Sequence, residues 1–356
     1  MGSTDHSPGG ETAAPPASSD PRLDLLKRWV AGISGESRLD IAPASADASF
    51  RRYFRVTLGG ETRIVMDAPP DKEDVEPFIR VADMLGAIGV NAPHILERNL
   101  EDGFLLLTDL GGRTYLKDLE LGLDVDALYG DAMAALVRIQ AGGGQYGPQL
   151  PPYDQALLLR EMHLFPDWFL DRHLGLALDA AAGATLRAGF ALLAAEALAQ
   201  PRTFVHRDYH SRNLMIATQA KFGRNPGILD FQDAVFGPIT YDLVSLLRDC
   251  YVAWPQERVT TWVEQYRQMA RDAGLDAGKD SETFVRWFDW MGVQRHLKAI
   301  GIFARLWHRD GKPGYLGDIP RTLGYVVDVT RRYPELAAFN QLLEGRILPA
   351  LAAVKA

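Results

Sequence analysis

The chain has 356 residues, which is enough for two domains or lobes with a large core, and its hydrophobic content of 47% is that of an ordinary globular protein. Its net charge of −8 argues against general binding to nucleic acid. A single cysteine, Cys250, excludes intrachain disulfides and cysteine-rich zinc sites. We expect a buried structural thiol in the reducing cytoplasm.

Residues 1–20 are rich in Pro, Gly, Ser and Ala and have neither a positive start nor an apolar core. This composition predicts a disordered tail and not a signal peptide. The longest apolar run, residues 188–199, is interrupted by Glu196 and is too short to cross a bilayer. We therefore expect a cytoplasmic protein without a membrane anchor.

The elements of the first third of the chain follow from hydrophobic periodicity. Residues 23–31 have the spacing of a short amphipathic helix, and residues 72–89 place apolar side chains on one helical face. Residues 50–57 and 62–66 predict an antiparallel pair of strands, and the apolar run 104–108 predicts a further strand.

From about residue 114 onward the pattern becomes helical. The Leu/Ala-rich and amphipathic segments predict helices over residues 125–141, 153–175, 180–199, 241–251, 258–273, 281–309 and 321–332. The pattern as a whole favours an α+β class, with strands concentrated before residue 110 and helices after it.

The stretch with the clearest chemical pattern covers residues 203–233 and reads TFVHRDYHSRNLMIATQAKFGRNPGILDFQD. Two apolar runs, 214–216 and 227–229, predict a short β-hairpin with a polar connecting loop. The first run follows the polar sequence HRDYHSRN, and Asp230 stands where the second run ends.

Phosphoryl transfer needs a group that positions the attacking hydroxyl and accepts its proton, together with oxygen ligands for Mg²⁺. Asp208 can accept the proton. Asn213 lies five residues further on, so the loop can turn back and present the amide oxygen to a metal. Asp230 can bring a carboxylate to the same metal. The order matches the protein-kinase motifs H-R-D-L-x-x-x-N and D-F-G, the latter reading D-F-Q here.

Further segments extend the pattern over residues 47–311; they read DASFRRYFR (47–55), MDAPP (66–70), DFQDA (230–234) and GIFARLWHRDG (301–311). With them the chain resembles the superfamily of aminoglycoside phosphotransferases and choline kinases. It is most similar to the subgroup of anomeric N-acetylmuramate/N-acetylglucosamine kinases of bacterial cell-wall recycling. The catalytic-loop motif with the later aspartate indicates the superfamily, and the other segments indicate the subgroup.

The resemblance implies a bilobal, protein-kinase-like fold with an antiparallel-sheet N-lobe over residues 21–110 and a mostly helical C-lobe over residues 111–356. It also implies an ATP- and Mg²⁺-dependent kinase that converts the C1 hydroxyl of an amino sugar into the α-1-phosphate. Asp208 would be the catalytic base, and Asn213 and Asp230 would bind the metal and the nucleotide.

The same resemblance implies roles for other residues. The hinge residues Thr108, Asp109 and Leu110 would contact the adenine through their backbone. Asp242, at the start of a predicted helix, would brace the catalytic loop. His206 would be a structural support and not an acid or base.

The N-lobe departs from the protein-kinase pattern in two ways. No G-x-G-x-x-G is present, and the small residues 47–49 occupy its place, where backbone N–H groups can approach phosphate. We assign Ser49 and Phe50 to the nucleotide on this basis. The lysine position of V-A-I-K reads Met66, so Arg51 or Arg52 could supply the missing charge, or could form an ordinary surface pair.

The charge of the C-lobe should complement the charge of the phosphate acceptor. Residues 291–332 contain eight basic and three acidic side chains, a net charge of +5 in a chain of −8. Such a segment suits a sugar that bears a carboxylate better than a polycationic aminoglycoside or a quaternary amine. We predict Arg305 and His308 as acceptor contacts, and His210 as either an acceptor contact or a solvated loop residue.

Three alternatives remain open. The acceptor could be another sugar, an amino alcohol or an aminoglycoside. The missing lysine and glycine loop could mark a nucleotide-binding pseudokinase. His206, Asp208 and His210 could imitate a two-His-one-carboxylate metal site, although that would leave Asn213 and Asp230 without a role. We expect a monomer with a small-molecule amino sugar as its partner.

Overall fold

The computed structural model describes residues 20–46, 50–119, 121–122, 124–217 and 224–354. The predicted tail lies outside these residues except for Asp20, whose carboxylate caps the first helix by accepting a hydrogen bond from the N–H of Leu23 at 3.0 Å. The small residues 47–49, proposed for phosphate, also lie outside the described residues.

The N-lobe is an antiparallel five-stranded sheet in the order β1-β2-β3-β5-β4 with two helices. Its elements are α1 (Pro21–Ser34), β1 (Asp40–Ala46), β2 (Arg52–Leu58), β3 (Glu61–Asp67), α2 (Glu76–Ile88), β4 (Ile95–Asn99) and β5 (Phe104–Thr108).

The strand β5 is buried on both of its faces because the sheet is covered by a helix on each side. Phe104 and Leu106 pack with Leu26 and Val30 of α1. The alternating residues Leu105 and Leu107 join the core cluster that includes α2. Burial on both faces explains why this strand reads as a continuous apolar run and not as an alternating one.

The C-lobe is mostly helical, with two small two-stranded sheets. Its elements are α3 (Tyr115–Leu119), α4 (Val125–Gly143), α5 (Gln155–Leu164), α6 (Ala180–Leu198), β6 (Arg202–Val205), β7 (Leu214–Met215), β8 (Gly227–Ile228), β9 (Val235–Pro238), α7 (Tyr241–Leu247), α8 (Gln256–Asp272), α9 (Ser281–Asp310), α10 (Ile319–Arg332), α11 (Ala337–Leu342) and α12 (Leu348–Val354). The sheet-plus-helix N-lobe and the helical C-lobe confirm the predicted α+β bilobal class.

The 30-residue helix α9 is the centre of the C-lobe, since α5, α6, α7 and α10 all pack against it. Gly301 allows the closest approach: a Cβ there would lie 2.4 Å from the backbone carbonyl carbon of Leu164, where α5 ends. Real side chains do not tolerate such a distance, so a residue without Cβ is required at this crossing.

Several predicted boundaries were wrong. The helix predicted over residues 72–89 begins at Glu76, because residues 70–72 form a turn at the two prolines and residues 73–75 are irregular. The helix predicted over 153–175 is α-helical only to Leu164 and continues as the π-helical segment Phe165–His173. The helix predicted over 241–251 ends at Leu247.

By length and composition, α6 could cross a membrane. Phe190, Leu193 and Ala194 on this helix are nevertheless buried in the C-lobe core. Because α5, α9 and α11 pack against it, this helix serves as a core helix of the C-lobe.

Candidate active site

The loop of residues 206–213 connects β6 to β7 and is anchored by a carboxylate of α7. Asp242 accepts hydrogen bonds from the backbone N–H groups of His206 (2.7 Å) and Arg207 (2.9 Å). Burial raises the pKa of Asp242 to about 7, against the effect of these two donors, which favour the charged form. The structure therefore confirms that Asp242 braces this loop.

A second carboxylate, Asp249, anchors the middle of the loop. Its Oδ2 accepts hydrogen bonds from the backbone N–H of Ser211 (2.9 Å) and from the Ser211 hydroxyl (2.6 Å). Both side chains are fully buried. Sequence reasoning missed Asp249, since nothing in the pattern around it distinguishes it from other aspartates that follow a helix.

His206 is fully buried beneath the loop. Its Nδ1 accepts a hydrogen bond from the backbone N–H of Asp208 at 3.2 Å, and its ring packs edge-on against Tyr209. Burial lowers the pKa of His206 to about 4, so the imidazole is neutral near pH 7. A neutral, buried ring that orients Asp208 fits the predicted structural role.

Asp208 stands at the wall of a cavity of about 90 Å³ in the C-lobe. His210, Tyr241, Arg295, Lys298 and Phe303 line the same cavity. Burial alone would raise the pKa of Asp208, but the charges of Lys298, His210 and Arg207 outweigh it and hold the pKa below its usual value. Asp208 is therefore ionised near neutral pH and can accept a proton.

Asn213 and Asp230 meet beside Asp208. The Asn213 amide donates hydrogen bonds to the backbone carbonyl of Asp208 (3.0 Å) and to Oδ2 of Asp230 (3.2 Å). The hairpin β7–β8 produces this meeting, since Leu229 N–H bonds to the Asn213 carbonyl at 2.9 Å. Asp230 has a φ of 64°, a left-handed conformation that aspartate tolerates better than most residues.

The donor set of this corner fits Mg²⁺. The Asn213 amide nitrogen faces the protein, which leaves the amide oxygen for another partner. Together with the carboxylate of Asp230 it supplies the hard oxygen atoms that Mg²⁺ prefers. Among the described residues no group of three or more His, Cys, Asp or Glu forms a separate metal site.

The catalytic loop is also tied to the C-lobe helices through a buried carboxylate of α5. Glu161 forms ion pairs with Arg207 and with Lys298 Nζ, the latter at 3.2 Å. Burial would raise the pKa of Glu161, but these two cations lower it below its usual value. Arg207 itself has a φ of 78°, so this pair holds a residue in the left-handed region.

The hinge residues make mainly structural contacts. Thr108 bonds to His94 through its backbone N–H (3.0 Å) and accepts from the N–H of His94 at its hydroxyl (2.9 Å). Asp109 receives a two-point hydrogen bond from Arg55, at 2.7 and 3.0 Å. Leu110 is buried beside Gly227. A nucleotide contact at this hinge stays a prediction.

The two arginines proposed for phosphate lie at the start of β2. Arg52 binds Asp67 at 2.9 Å and also Asp20, so its guanidinium is held by two carboxylates near α1. Arg51 is half-buried. Phe50 is 62% exposed, and the Lys72 ammonium lies 5.1 Å from its ring centroid. The assignment of Phe50, Arg51 and Arg52 to the nucleotide stays a prediction.

The predicted acceptor residues divide into two groups. His210 lines the cavity with Asp208 and packs edge-on against Tyr251. Arg305 and His308 are not among the cavity-lining residues. His308 instead contacts His173, with 3.3 Å between their ring nitrogens. The same helix α9 brings Arg295 and Lys298 to the cavity, two residues that sequence reasoning counted as basic but did not select.

A sheet-containing N-lobe and a helical C-lobe, with Asp208 in a cavity wall and with Asn213 and Asp230 hydrogen-bonded next to it, define a kinase-like phosphotransferase. Residues 40–281 match the family described as "Phosphotransferase enzyme family", and the chain belongs to that family. The resemblance seen in the motifs is thereby confirmed.

Curated relatives cover most of the chain. A Pseudomonas aeruginosa N-acetylmuramate/N-acetylglucosamine kinase is 50% identical over 304 residues, which are 85% of this chain and 88% of that protein. A Neisseria meningitidis protein of the same name is 45% identical over 322 residues, or 89% and 94% of the two chains.

Solved structures share the fold at low identity. A GDP complex of aminoglycoside 2'-phosphotransferase-IIIa has a TM-score of 0.58 and 15% identity, covering 88% of this chain and all of that one. A Plasmodium vivax ethanolamine kinase has a TM-score of 0.62 and 10% identity, covering 87% and 90%. These neighbours confirm the kinase-like fold.

Proposed function

We propose that the protein is an ATP-dependent sugar kinase that phosphorylates the anomeric hydroxyl of N-acetylmuramate and N-acetylglucosamine. The product would be the α-1-phosphate, and the reaction would belong to peptidoglycan recycling. The observation that carries the proposal is the convergence of Asn213 and Asp230 next to Asp208, which lines the cavity. The identity of 45–50% to kinases so named supports the choice of acceptor.

The chemistry assigned to Asp208 follows from its charge. Its ionised carboxylate would accept the proton of the C1 hydroxyl while the oxygen–phosphorus bond forms and the bond to the departing ADP breaks. An anomeric hydroxyl is more acidic than an ordinary sugar alcohol, so a carboxylate is a sufficient base. The transition state of such transfers is loose, and positioning therefore supplies most of the rate.

Asn213 and Asp230 would hold Mg²⁺ on the triphosphate of ATP. When bound, the metal neutralises charge on the phosphates. The part of this chain is to fix the ligand geometry: the Asn213 amide is held by the Asp208 carbonyl, and Oδ1 of Asp230 accepts from the Gln232 side chain at 2.8 Å. Ser49, Phe50, Arg51, Arg52 and the hinge 108–110 are proposed to contact the nucleotide.

The basic wall of the cavity argues for this acceptor over an aminoglycoside. Arg295 and Lys298 face the same space as Asp208, and a polycation placed there would meet like charges. A pseudokinase is disfavoured, because the set of Asp208, Asn213 and Asp230 is complete. We further propose that the chain works as a cytoplasmic monomer without nucleic-acid or membrane partners.

The test is ADP release from MgATP with N-acetylmuramate, N-acetylglucosamine, glucose, choline and kanamycin as separate acceptors. We expect turnover with both N-acetyl sugars and its loss when the anomeric hydroxyl is blocked as a methyl glycoside. Turnover only with choline or kanamycin would overturn the substrate. No turnover with any acceptor, while ATP still raises the melting temperature, would favour a pseudokinase.

A further inference from the structure

The buried cations around the cavity are almost all paired. Lys298 is bound by Glu161 and donates to the Tyr241 hydroxyl at 2.9 Å. Arg248 forms an ion pair with Asp289 at 2.6 Å. Arg207 is bound by Glu161. Each of these charges has a carboxylate within the folded chain, as buried charges require.

Arg295 is the exception. The residue is 6% exposed, and Asp208 and Asp249 are near enough to favour its charge, yet within the described part of the chain neither forms an ion pair with it. Its Nη1 makes only a 3.6 Å contact to Cys250 Sγ, and its Nε, which is buried, has no hydrogen-bond partner. Leaving a charged donor desolvated and unpaired is costly, so a partner from outside the chain is the natural complement.

The unpaired guanidinium belongs to a residue of the cavity wall. Arg295 lines the same cavity as Asp208 and His210, and it sits one helical turn before Lys298 on α9. The rest of that wall is apolar, with Ile302 and Phe303 further along the helix. A sugar held with its reacting hydroxyl at Asp208 would have one anchoring cation available, since Lys298 is already engaged.

We infer that Arg295 binds the carboxylate of N-acetylmuramate and is the residue that adapts the site to that acceptor. This inference rests on the proposed function. N-Acetylmuramate carries a lactyl carboxylate, whereas N-acetylglucosamine has a hydroxyl in its place. A guanidinium offers a planar pair of donors that matches a carboxylate, which an ammonium does not. With N-acetylglucosamine, water would occupy the same donors.

The two acceptors give the experiment an internal comparison. We would measure kcat/KM for both sugars at saturating MgATP in the wild type and in Arg295→Met, which keeps most of the side-chain volume. We expect kcat/KM for N-acetylmuramate to fall about 10- to 100-fold, mainly through KM, because a charge-assisted hydrogen-bonded pair is lost. The value for N-acetylglucosamine should change by less than about threefold.

Two further variants test whether the effect is specific to Arg295. Arg331→Met removes an exposed cation that is bound by Glu344, and it should change neither acceptor. Arg305→Met tests a second arginine of α9, the one that the sequence predicts as an acceptor contact. Selective loss of N-acetylmuramate turnover in Arg305→Met, with Arg295→Met unaffected, would move the carboxylate site to Arg305 and overturn the inference.

A substrate variant keeps the test independent of protein folding. In the wild type we expect the methyl ester of N-acetylmuramate to be a poorer acceptor than the free acid, and this preference should vanish in Arg295→Met and weaken in Arg295→Lys, which keeps the charge but not the planar pair of donors. An equal loss for both sugars, or no preference of the wild type for the free acid, would overturn the role of Arg295. A wild type inactive on both sugars would instead overturn the proposed function and the inference with it.

Discussion

The carboxylate of Asp242 lies 2.9 Å from the backbone nitrogen of Arg207, a residue whose φ is 78°. The same carboxylate holds the N–H of His206, so one side chain of α7 satisfies two consecutive donors of the catalytic loop. A left-handed non-glycine residue costs free energy and persists only where its surroundings over-determine it. Asp242 is one of the groups that hold Arg207 in this conformation.

Asp242→Asn should therefore loosen the loop. An amide can accept one of the two hydrogen bonds, but its NH₂ group would face the second N–H. We expect the free energy of unfolding to fall by about 1–3 kcal/mol and kcat to fall with it. Urea unfolding and ADP release measure the two effects. Asp328→Asn, on an exposed part of α10, is the control and should change neither.

Asp208→Asn should abolish most of the turnover while leaving the fold intact. The amide has nearly the same shape but cannot accept the proton of the hydroxyl. We expect kcat to fall about 10²- to 10⁴-fold with little change in melting temperature. A variant that retained near wild-type turnover would remove the role assigned to this carboxylate.

Asp230→Ala should impair turnover at least as severely, because it removes a proposed metal ligand and a hydrogen-bond acceptor of Asn213. Titration of Mg²⁺ in the ADP-release assay should show a weaker apparent affinity for the metal. Asp233→Ala, three residues further on and exposed, provides the matched control. If the two variants depended on Mg²⁺ in the same way, the assignment of Asp230 would fail.

Gly301→Ala should destabilise the C-lobe. The added Cβ would meet the backbone of Leu164, which cannot move aside as a flexible side chain would. We expect a loss of about 1–3 kcal/mol or more in the free energy of unfolding, the usual cost of overpacking. Gly130→Ala in α4 is the control: nothing lies within 4 Å of its added Cβ, so it should stabilise by about 0.5–1 kcal/mol.

His296 should make the protein sensitive to acid. Its Nε2–H donates to the Arg248 carbonyl at 2.8 Å, its ring stacks on Tyr325, and Arg295 and Arg248 carry the charges nearest to it. Burial and these cations lower its pKa from 6.5 to about 3. The folded protein thus keeps the ring neutral, while the unfolded chain takes up a proton below about pH 6.5.

Because the unfolded state binds more protons, the free energy of unfolding should be highest above about pH 6.5 and should decline as the pH falls toward 3. At about pH 5, protonation of this one histidine in the unfolded chain should lower the free energy of unfolding by about 2 kcal/mol. His296→Gln keeps an N–H donor without a titrating ring, so its free energy of unfolding should depend less on pH in this window. Urea unfolding at several pH values measures the difference, and parallel pH curves for the two proteins would contradict it.

The elements with strong periodicity could be predicted from the sequence, and the weak ones could not. β5, the hairpin β2–β3 and the long C-lobe helices have continuous or alternating apolar patterns. Two of the missed strands, β1 and β4, are the edges of the N-lobe sheet. β1 contains Pro43 with a register shift beside it, and β4 is irregular between Ile95 and Glu97. An edge strand with one exposed side carries little periodic signal.

The site could be predicted where its residues are close in sequence. Asp208, Asn213 and Asp230 are connected by one loop and one hairpin, so their spacing alone brings them together. Arg295 and Asp249 belong to the site through the packing of α9 and the path of the chain after α7. Arg295 could not be selected from the sequence, because the basic pattern of residues 291–332 does not show which side of the long buried helix α9 faces the cavity. Asp249 could not be selected, because its place depends on the path of the chain after α7.

The Glu161–Arg207 pair has a consequence for control of the enzyme. In many protein kinases an arginine beside the catalytic aspartate binds a phosphate group that is added to the activation loop. Here the anion is a glutamate of the chain's own helix, present from the moment the C-lobe folds. The folded C-lobe therefore holds Arg207 in place without an added phosphate group.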